Sequence, residues 1–248
     1  MDIYDELLNI VKTESDLEEF LTHENKWEYL YNFSNIRKNI LEWYDFKSDA
    51  KLLEFGAECG ALTGLFCERV KEVVSVEDDE KKRQVNKARN EKYSNLKIIS
   101  GDELSEIDES FDYITIIGNF SLEKLKKAKS LIKPNGHLII AIENKYGMKY
   151  WSGEERPDTY SRIQLIGIMR REGFEEKEIY YPIPDFILPS EIYSSKYLPK
   201  IGSISANSPS YTKDKITTFD EPKMFDMVIK DRKFEEYANS FLFIAKVK

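Results

Sequence analysis

The sequence predicts an α/β protein built on a doubly wound, mostly parallel sheet of seven strands. An N-terminal helical cap is expected before the sheet, and an insertion is expected before its last strand. The first reason is that strand-like and helix-like stretches alternate from residue 50 onward, which is typical of parallel sheets. The second is that the strand candidates are apolar on both faces, as expected of strands that helices cover on each side.

Residues 1–45 are expected to form the helical cap. Within them, the tetrapeptide SDLE at 15–18 has the spacing of a capping box, with Ser15 at the start of a helix. Over 26–44, aromatic and aliphatic residues recur at steps of three and four, which is the period of an amphipathic helix. We therefore expect one continuous helix over this second stretch, leading into the sheet.

The core of the protein is expected over 46–180 and 238–248. The strand candidates are short apolar segments, at 50–55, 72–76, 96–100, 112–117, 137–142, 174–180 and 239–247. Three helix candidates lie between the first five strands, at 61–70, 79–91 and 121–132. Asp78 is the expected N-cap of the second of these helices, because aspartate favours that position.

Three further signals lie in the second half of the chain. The sequence KPNG at 133–136 predicts a turn before the fifth strand. Ser161 opens another capping box, and its helix is expected to stop at Gly173. Residues 181–237 are rich in proline, tyrosine, serine and aspartate and have no clear period. This stretch is too long for an idle loop, so we expect a cap or substrate-binding insertion.

Composition narrows the classes of function. The formal net charge of −8 and the pI near 5.1 argue against nucleic acid as a partner, because such binders carry clustered lysine and arginine. No apolar run approaches the roughly 18 residues that span a membrane, and the acidic N-terminus does not resemble a signal peptide. Cys59 and Cys67 match neither a disulfide framework nor a metal-binding spacing. We expect a cytoplasmic protein without a metal.

The stretch LLEFGAECGALTG at 52–64 is the first that points to a ligand. Parallel sheets bind ligands at the carboxyl ends of their strands, and here a loop from Gly56 to Gly60 follows the first strand. Glycine lets the backbone turn sharply and lets a ligand approach, while the next helix offers unpaired N–H groups. Because Glu58 stands between the two glycines, the NAD fingerprint is absent. A pyrophosphate ligand is therefore disfavoured.

Acidic residues end three successive strand candidates. Glu54 lies where a carboxylate could meet a ligand ammonium group, and Glu77 suits hydrogen bonds to two ribose hydroxyls. Asp102, which Glu103 follows, could accept a hydrogen bond from an adenine amino group. These acids favour a ligand with a ribose, an amine and a cationic centre. S-adenosylmethionine fits that description, and we expect it to be the cofactor.

With these motifs the chain resembles class I S-adenosylmethionine-dependent methyltransferases, whose fold is Rossmann-like. The stretches LLEFGAECGALTG, VEDD, SGDE and FDYITIIGNF resemble the first four motifs of that family. The resemblance implies that residues of these motifs bind the cofactor, namely Glu54, Gly56, Ala57, Glu58, Cys59, Gly60, Glu77, Asp78, Asp102, Glu103, Gly118 and Asn119. Glu58 stands where the family has its middle glycine, so we expect the methionine end of the cofactor to be held differently.

More narrowly, the chain resembles methyltransferases of bacterial surface-polysaccharide clusters, which are often found beside or fused to glycosyltransferases. Four stretches carry this likeness: FSNIRKNILEWY, AIENKYGMKYWSG, YYPIPDFILPSEIYSSKYLP and YANSFL. Ser34 and Arg37 lie in the first stretch, and the resemblance implies that they bind the cofactor carboxylate. An equal alternative is that both face solvent.

The candidate acceptor site is ENKYGMKYW at 143–151, which follows the fifth strand at the ligand end of the sheet. Its catalytic candidates are Glu143, Asn144, Tyr146 and Tyr150. A hydroxyl acceptor would need a base such as Glu143, whereas an acceptor that is already anionic would need none.

The narrower resemblance also implies a function. It is O-methylation of a capsular polysaccharide or lipopolysaccharide precursor, on a sugar hydroxyl or on a phosphoryl or phosphoramidate oxygen. The implied partners are a small-molecule or nucleotide-linked sugar acceptor and glycosyltransferases of the same pathway. Two alternatives stay open, which are methylation of another small molecule and a non-catalytic, cofactor-binding role in a polysaccharide assembly complex.

Overall fold

The computed structural model describes residues 2–24, 26–155, 157–211 and 219–247, and one eight-stranded sheet lies at the centre of this part of the chain. Its strands are β1 (Lys51–Phe55), β2 (Glu72–Val76), β3 (Leu96–Ile99), β4 (Phe111–Ile117), β5 (Ile132–Glu143), β6 (Phe174–Ile183), β7 (Glu191–Ser194) and β8 (Ser240–Val247). They lie side by side in the order β3-β2-β1-β4-β5-β8-β6-β7.

The sheet is mostly parallel, as predicted. Neighbouring strands from β3 to β5 pair in parallel, whereas β8 pairs antiparallel with both β5 and β6. The chain enters the sheet at β1 and moves outward to β3, then returns to β4 on the other side of β1. The carboxyl ends of β1 and β4 therefore flank the crevice where open parallel sheets bind their ligands.

The predicted count of seven strands is short by one. The seven candidates correspond to β1–β6 and β8, and the extra strand, β7, lies within the expected insertion. It pairs with the end of β6, which continues to Ile183, beyond the predicted end at residue 180. The four residues of β7 are exposed or half-buried, so they carry no apolar signal. The division of the chain into cap, core and insertion stays a prediction.

Helices connect most of the strands. The N-terminal segment contains α1 (Ile3–Thr13), α2 (Leu17–His23), α3 (Trp27–Phe33) and a 3₁₀ helix (Asn35–Ile40). The first five strands are connected through α4 (Thr63–Arg69), α5 (Glu80–Arg89), α6 (Gly101–Ser105) and α7 (Leu122–Leu131). The second half of the chain contains α8 (Met148–Trp151), α9 (Arg162–Arg171), α10 (Glu221–Lys230) and α11 (Phe234–Tyr237).

The single helix expected over 26–44 is broken at Ser34. This residue is extended (φ −62°, ψ 131°), and its side chain accepts a hydrogen bond from the Ile36 N–H. α3 therefore ends at Phe33, and the serine caps a 3₁₀ helix instead of continuing the first helix. The apolar period carries on across the break, which is why the pattern alone predicts one element.

Two of the three predicted helix caps are displaced by one residue. Asp16, rather than Ser15, caps α2, and Asp79, rather than Asp78, caps α5. Each of these carboxylates accepts hydrogen bonds from two backbone N–H groups. Ser161 caps α9 in the predicted capping box.

Two predicted boundaries in the second half also move. The sequence KPNG belongs to β5, which begins at Ile132, and the left-handed Asn135 (φ 65°) accompanies a register shift in its pairing with β4. The predicted turn is therefore an irregularity within the strand. α9 ends at Arg171, two residues before Gly173, which adopts φ 82° as expected of a residue that follows a helix.

Apolar side chains cover both faces of the sheet. Adjacent residues of one strand belong to opposite clusters: Leu52 packs in one and Leu53 in the other, and Tyr113 and Ile114 divide in the same way. This alternation follows from the two-residue period of a strand. A third, smaller cluster joins the N-terminal helices to α5 through Val85. Within the described ranges, no helix is both long and apolar enough to cross a membrane.

Candidate functional site

The loop after β1, which we call the glycine turn (residues 56–60), has an unusual backbone. Gly56, Glu58 and Gly60 have φ values of 68°, 50° and 76°, in the left-handed region. At Gly60 a side chain would also collide with its surroundings, since a Cβ there would lie 2.1 Å from the Asn86 Oδ1 atom. Glu58 is the exception, because residues other than glycine rarely adopt this conformation. The departure from the family pattern is therefore a substitution at a position whose backbone suits glycine.

The glycine turn is held against the end of β2. The N–H groups of Gly56 and Ala57 donate to the Val76 carbonyl at 2.9 and 3.2 Å. One carboxylate oxygen of Glu77 accepts from the Glu58 N–H at 2.9 Å, and the other accepts from the Asp79 N–H at 3.1 Å. A carboxylate has about four acceptor positions, so these two bonds orient Glu77 and leave capacity for ligand hydroxyls.

A cavity of about 610 Å³ opens beside the glycine turn. Four predicted cofactor residues line it, namely Gly56, Glu77, Asp78 and Asn119. Two residues that the sequence analysis missed also line it, Leu104 from α6 and Lys124 from α7. The Lys124 Nζ donates to the Asn119 carbonyl at 2.9 Å, and burial lowers the pKa of this lysine. No sequence motif marks Leu104 or Lys124 as a ligand contact, because each lies on an ordinary amphipathic helix.

Asp102 and Glu103 do not line that cavity. The Glu103 carboxylate instead accepts the Ser100 N–H at 2.8 Å in a capping box that starts α6. Asp102 is exposed, whereas the neighbouring Gly101 donates its N–H to the Asp78 Oδ1 at 2.8 Å. The structure thus brings Asp78, rather than Asp102, to the cavity wall. The cofactor-binding roles of Asp102 and Glu103 stay predictions.

Glu54 lies at the bottom of the site, fully enclosed within a polar network. Its Oε2 accepts hydrogen bonds from the Thr63 hydroxyl at 2.6 Å and from the Ser75 hydroxyl at 3.0 Å. The Asn86 amide donates to the same two hydroxyls at 3.3 and 3.2 Å. Burial raises the pKa of Glu54 to about 7, and the two hydroxyl donors oppose that rise.

Arg37 is buried, so the alternative of a solvent-facing side chain does not hold. Its guanidinium lies over the Tyr31 ring, 4.2 Å from the ring centre, and its Nε and Nη1 atoms are buried without a hydrogen-bond partner. Arg37, Glu54 and the start of the glycine turn line a second, small cavity of about 20 Å³. The Tyr31 hydroxyl donates to the Glu58 Oε2 at 2.6 Å. The Ser34 hydroxyl accepts from the Ile36 N–H at the start of the 3₁₀ helix, and its cofactor-binding role stays a prediction.

Two other predicted cofactor residues, Gly118 and Cys59, contact the rest of the fold through their backbone or their packing. Gly118 follows β4 with φ 70°, and its N–H donates to the Ala141 carbonyl at 2.7 Å. A Cβ there would lie 3.5 Å from the Phe186 ring, which covers this point. Cys59 is buried against the N-terminal helices, and burial raises the pKa of its thiol to about 12. A thiol in that state is inert, so only its backbone is available to a ligand.

The predicted acceptor residues lie in three different environments. Glu143 and Tyr150 are hydrogen-bonded to each other, with 2.5 Å between the Tyr150 hydroxyl and the Glu143 Oε2. Asn144 is fully buried, and its amide donates to the carbonyls of Glu236 and Ala238 at 2.8 and 2.7 Å, which anchors the end of β5 to α11. Tyr146 is 42% exposed, at the surface. The catalytic roles of all four residues stay predictions.

Sequence comparison matches part of the chain. The model of the ribosomal RNA adenine dimethylase family matches residues 22–121, less than half of the protein. A curated relative, ribosomal RNA small subunit methyltransferase A of Syntrophus aciditrophicus (strain SB), is 36% identical over 98 residues. That alignment covers 40% of this chain and 33% of the relative, so the chain matches about a third of the relative's length.

Solved structures match nearly the whole chain at low sequence identity. An S-adenosylmethionine-dependent methyltransferase of Thermotoga maritima aligns with a TM-score of 0.55 and 17% identity, over 94% of this chain and 97% of its own. Phosphoethanolamine N-methyltransferase 1 of Haemonchus contortus, in complex with phosphoethanolamine and S-adenosylhomocysteine, aligns with a TM-score of 0.56 and 14% identity. That alignment covers 97% of this chain and 49% of the other. The chain thus has the fold of class I methyltransferases. The predicted cofactor, S-adenosylmethionine, is thereby confirmed.

The sequence matches contradict two predictions. Methylation of a surface polysaccharide and the absence of a nucleic-acid partner are both wrong, because the matching family and the curated relative are named for ribosomal RNA. The narrower resemblance to polysaccharide-cluster methyltransferases, with its glycosyltransferase partners, is unsupported by these findings. The prediction that excluded nucleic acid relied on net charge. Net charge describes the whole surface and does not exclude a local site for RNA.

Proposed function

We propose that this protein is an S-adenosylmethionine-dependent methyltransferase and that its acceptor is RNA. The observation that carries the cofactor assignment is the guanidinium of Arg37, which is buried beside the glycine turn with two unpaired donors. An unpaired buried donor costs free energy that a partner would recover. The carboxylate of a bound amino acid supplies such a partner.

The residues around the two cavities fit the whole cofactor. Arg37 would bind its carboxylate, Glu54 its ammonium group and Glu77 its ribose hydroxyls, while the cavity of about 610 Å³ would hold the adenosine. When bound, the cofactor supplies a methyl group on a sulfonium. The small cavity at Arg37 has room for about one water molecule, so its lining residues would have to move apart to admit the methionine end.

The RNA acceptor is proposed from the sequence matches. The family model aligns with residues 22–121, the segment that carries the predicted cofactor residues. Both this family and the curated relative are named for methylation of ribosomal RNA. The matched segment ends at residue 121, before β5 and α8, so the acceptor side of this protein is built from residues outside the match. We propose an adenine amino group as the acceptor, as the name of the matching family indicates.

Two measurements test the two parts separately. Calorimetry with S-adenosylhomocysteine tests the cofactor site, and the absence of binding would overturn the proposal as a whole. Transfer of radiolabelled methyl groups to small ribosomal subunits, followed by nucleoside analysis, tests the acceptor. We expect methylated adenosine, with bovine serum albumin as an acceptor that takes up no label. Binding of the cofactor product without any transfer to RNA would overturn the acceptor and leave the cofactor site in place.

A further inference from the structure

The end of β5 carries a polar cluster that has no part in the proposed cofactor site. Ala141 of this strand accepts the Gly118 N–H, and Glu143 lies two residues further along, at the carboxyl end of the strand. α8 follows after a short loop and directs Lys149 and Tyr150 back toward Glu143. The cluster therefore lies at the same edge of the sheet as the glycine turn, on the side of β4 away from Glu77.

The members of the cluster form one hydrogen-bonded chain. The Lys149 ammonium donates to the Asp185 Oδ2 at 2.7 Å and to the Glu143 Oε1 at 3.1 Å. The Tyr150 hydroxyl donates to the Glu143 Oε2, and the Tyr211 hydroxyl donates to the Asp185 Oδ1 at 3.1 Å. Each carboxylate thus has two bonds to neighbours within the cluster. Together the two carboxylates and the one ammonium carry a net charge of −1.

The charged side chains of the cluster become less buried from Asp185 through Lys149 to Glu143. The side chain of Asp185 is completely buried and that of Lys149 is 4% exposed, whereas that of Glu143 is 19% exposed. Glu143 is therefore the charged member that a second molecule can reach. A surplus buried charge is costly, and apolar residues would stabilise the fold at least as well. Such clusters are typical of functional sites.

We propose that Glu143 is the general base that removes a proton from the acceptor, and that Lys149 and Asp185 are positioning residues that hold its carboxylate. This inference rests on the proposed methyltransferase activity and adds that the acceptor atom carries a hydrogen, as an amino or hydroxyl group does. As the acceptor atom bonds to the methyl carbon and the carbon–sulfur bond breaks, the proton of the acceptor passes to Glu143.

The surroundings of Glu143 suit this role. Two of its roughly four acceptor positions are used by Lys149 and Tyr150, so the carboxylate can still accept from a third donor. Burial raises the pKa of Glu143, Asp185 adds to the rise, and the ammonium of Lys149 opposes it. Tyr211 faces the cluster from the insertion through its bond to Asp185. A carboxylate whose pKa is raised is a stronger base than one in water.

The first test compares Glu143→Gln with wild type in methyl transfer to small ribosomal subunits. We expect kcat to fall by about 100-fold or more, the usual range for loss of a general base, with S-adenosylhomocysteine binding unchanged. Glu191→Gln is the matched control, because Glu191 also accepts from a tyrosine, Tyr193, but lies exposed on β7. Activity of Glu143→Gln within threefold of wild type would overturn the inference and leave the proposed function standing.

The second test separates positioning from simple structural support. Removing the ammonium in Lys149→Met should move the acid limb of the kcat/KM profile to higher pH, and removing the buried carboxylate in Asp185→Asn should move it to lower pH. Shifts of about one pH unit are expected for charges at these distances. The ¹³C carboxyl resonance of Glu143, titrated without cofactor or acceptor, should move in the same two directions.

Shifts in the same direction for both variants, or no shift in Asp185→Asn, would overturn the positioning roles. If Lys149→Met does not fold, Asp185→Asn alone tests the positioning role, since asparagine keeps the shape of the buried side chain. If the wild-type protein transfers no methyl group to RNA, the proposed acceptor and the base role of Glu143 both fall. Unchanged cofactor binding would show that the cofactor site itself is sound.

Discussion

Arg37 shows how one side chain can point to a missing ligand. Its guanidinium is buried, and the face of Tyr31 offsets only part of the cost of removing that charge from water. Glu54 and the glycine turn line the neighbouring cavity. A ligand carboxylate placed there would pair with the two free donors, which no side chain of the described residues does.

We therefore predict opposite effects of Arg37→Met on affinity and on stability. Affinity for S-adenosylhomocysteine should fall by about 1.5–3 kcal/mol, the range for hydrogen bonds to charged groups. The free energy of unfolding without ligand should not fall, because the unpaired buried donors are removed. Calorimetry and urea denaturation measure the two quantities, and Lys38→Met is the control on the same 3₁₀ helix. Unchanged affinity would show that Arg37 serves the fold alone.

Glu77 provides the second prediction for a single residue. Glu77→Ala should weaken binding of S-adenosylhomocysteine by about 1–3 kcal/mol, because the proposed bonds to ribose hydroxyls are lost. Asp108→Ala removes an exposed carboxylate that does not line the cavity and should leave affinity unchanged. Titration calorimetry compares the two variants, with thermal melting as a check on folding. Equal affinities would assign the ribose to another part of the site.

Among the elements, the glycine turn is the one on which the proposed cofactor site depends. Its left-handed residues turn the chain between β1 and α4, and its N–H groups bind the Val76 carbonyl and the Glu77 carboxylate. Space as well as conformation restricts Gly60, since Asn86 occupies the volume that a side chain would need. The turn and the network around Glu54 are thus joined through one asparagine.

This close contact predicts the outcome of two matched glycine substitutions. Gly60→Ala should lower the free energy of unfolding by about 2 kcal/mol or more, from left-handed strain and from the collision with Asn86. Gly167→Ala lies within α9, where a Cβ meets nothing within 4 Å, and should raise stability by about 0.5–1 kcal/mol. Urea denaturation of both variants tests this pair. A stable Gly60→Ala protein would contradict the geometry of the turn.

At the scale of the whole molecule, Glu54 links stability to pH. Its pKa is raised by burial from 4.5 to about 7, so the folded protein holds a proton that the unfolded chain has lost between these values. Stability must then fall as pH rises through this window. The difference in pKa corresponds to roughly 3 kcal/mol, fully lost above the folded pKa.

The variant Glu54→Gln isolates this effect, because glutamine stays neutral at every pH. Relative to the variant, wild type should lose roughly 3 kcal/mol of unfolding free energy between pH 4.5 and 8. Urea denaturation at several pH values gives both curves, and subtracting them removes the titration of other groups. A constant difference across the range would mean that Glu54 titrates like an exposed carboxyl. Bound cofactor should flatten the wild-type curve if its ammonium group pairs with Glu54.

The order of strands and helices could be predicted from the sequence, because burial on both faces leaves continuous apolar runs. Seven strands lie where these runs predict them, and the glycine turn and Glu77 lie at adjoining strand ends. Elements without such a signal were missed, as β7 shows at the exposed edge of the sheet. The break at Ser34 was missed as well, because the apolar period continues across it.

Only the tertiary structure decided which polar side chains meet, since that depends on packing between distant segments. In the folded chain Arg37 lies beside the glycine turn, and Glu103 caps α6. Asn144 anchors the end of β5, and Asp185 contacts Lys149 although 36 residues separate them. A parallel sheet brings its strand ends to one edge, so the sequence alone predicted the edge at which the proposed ligand site lies. The directions of buried side chains depend on long-range contacts that no local pattern encodes.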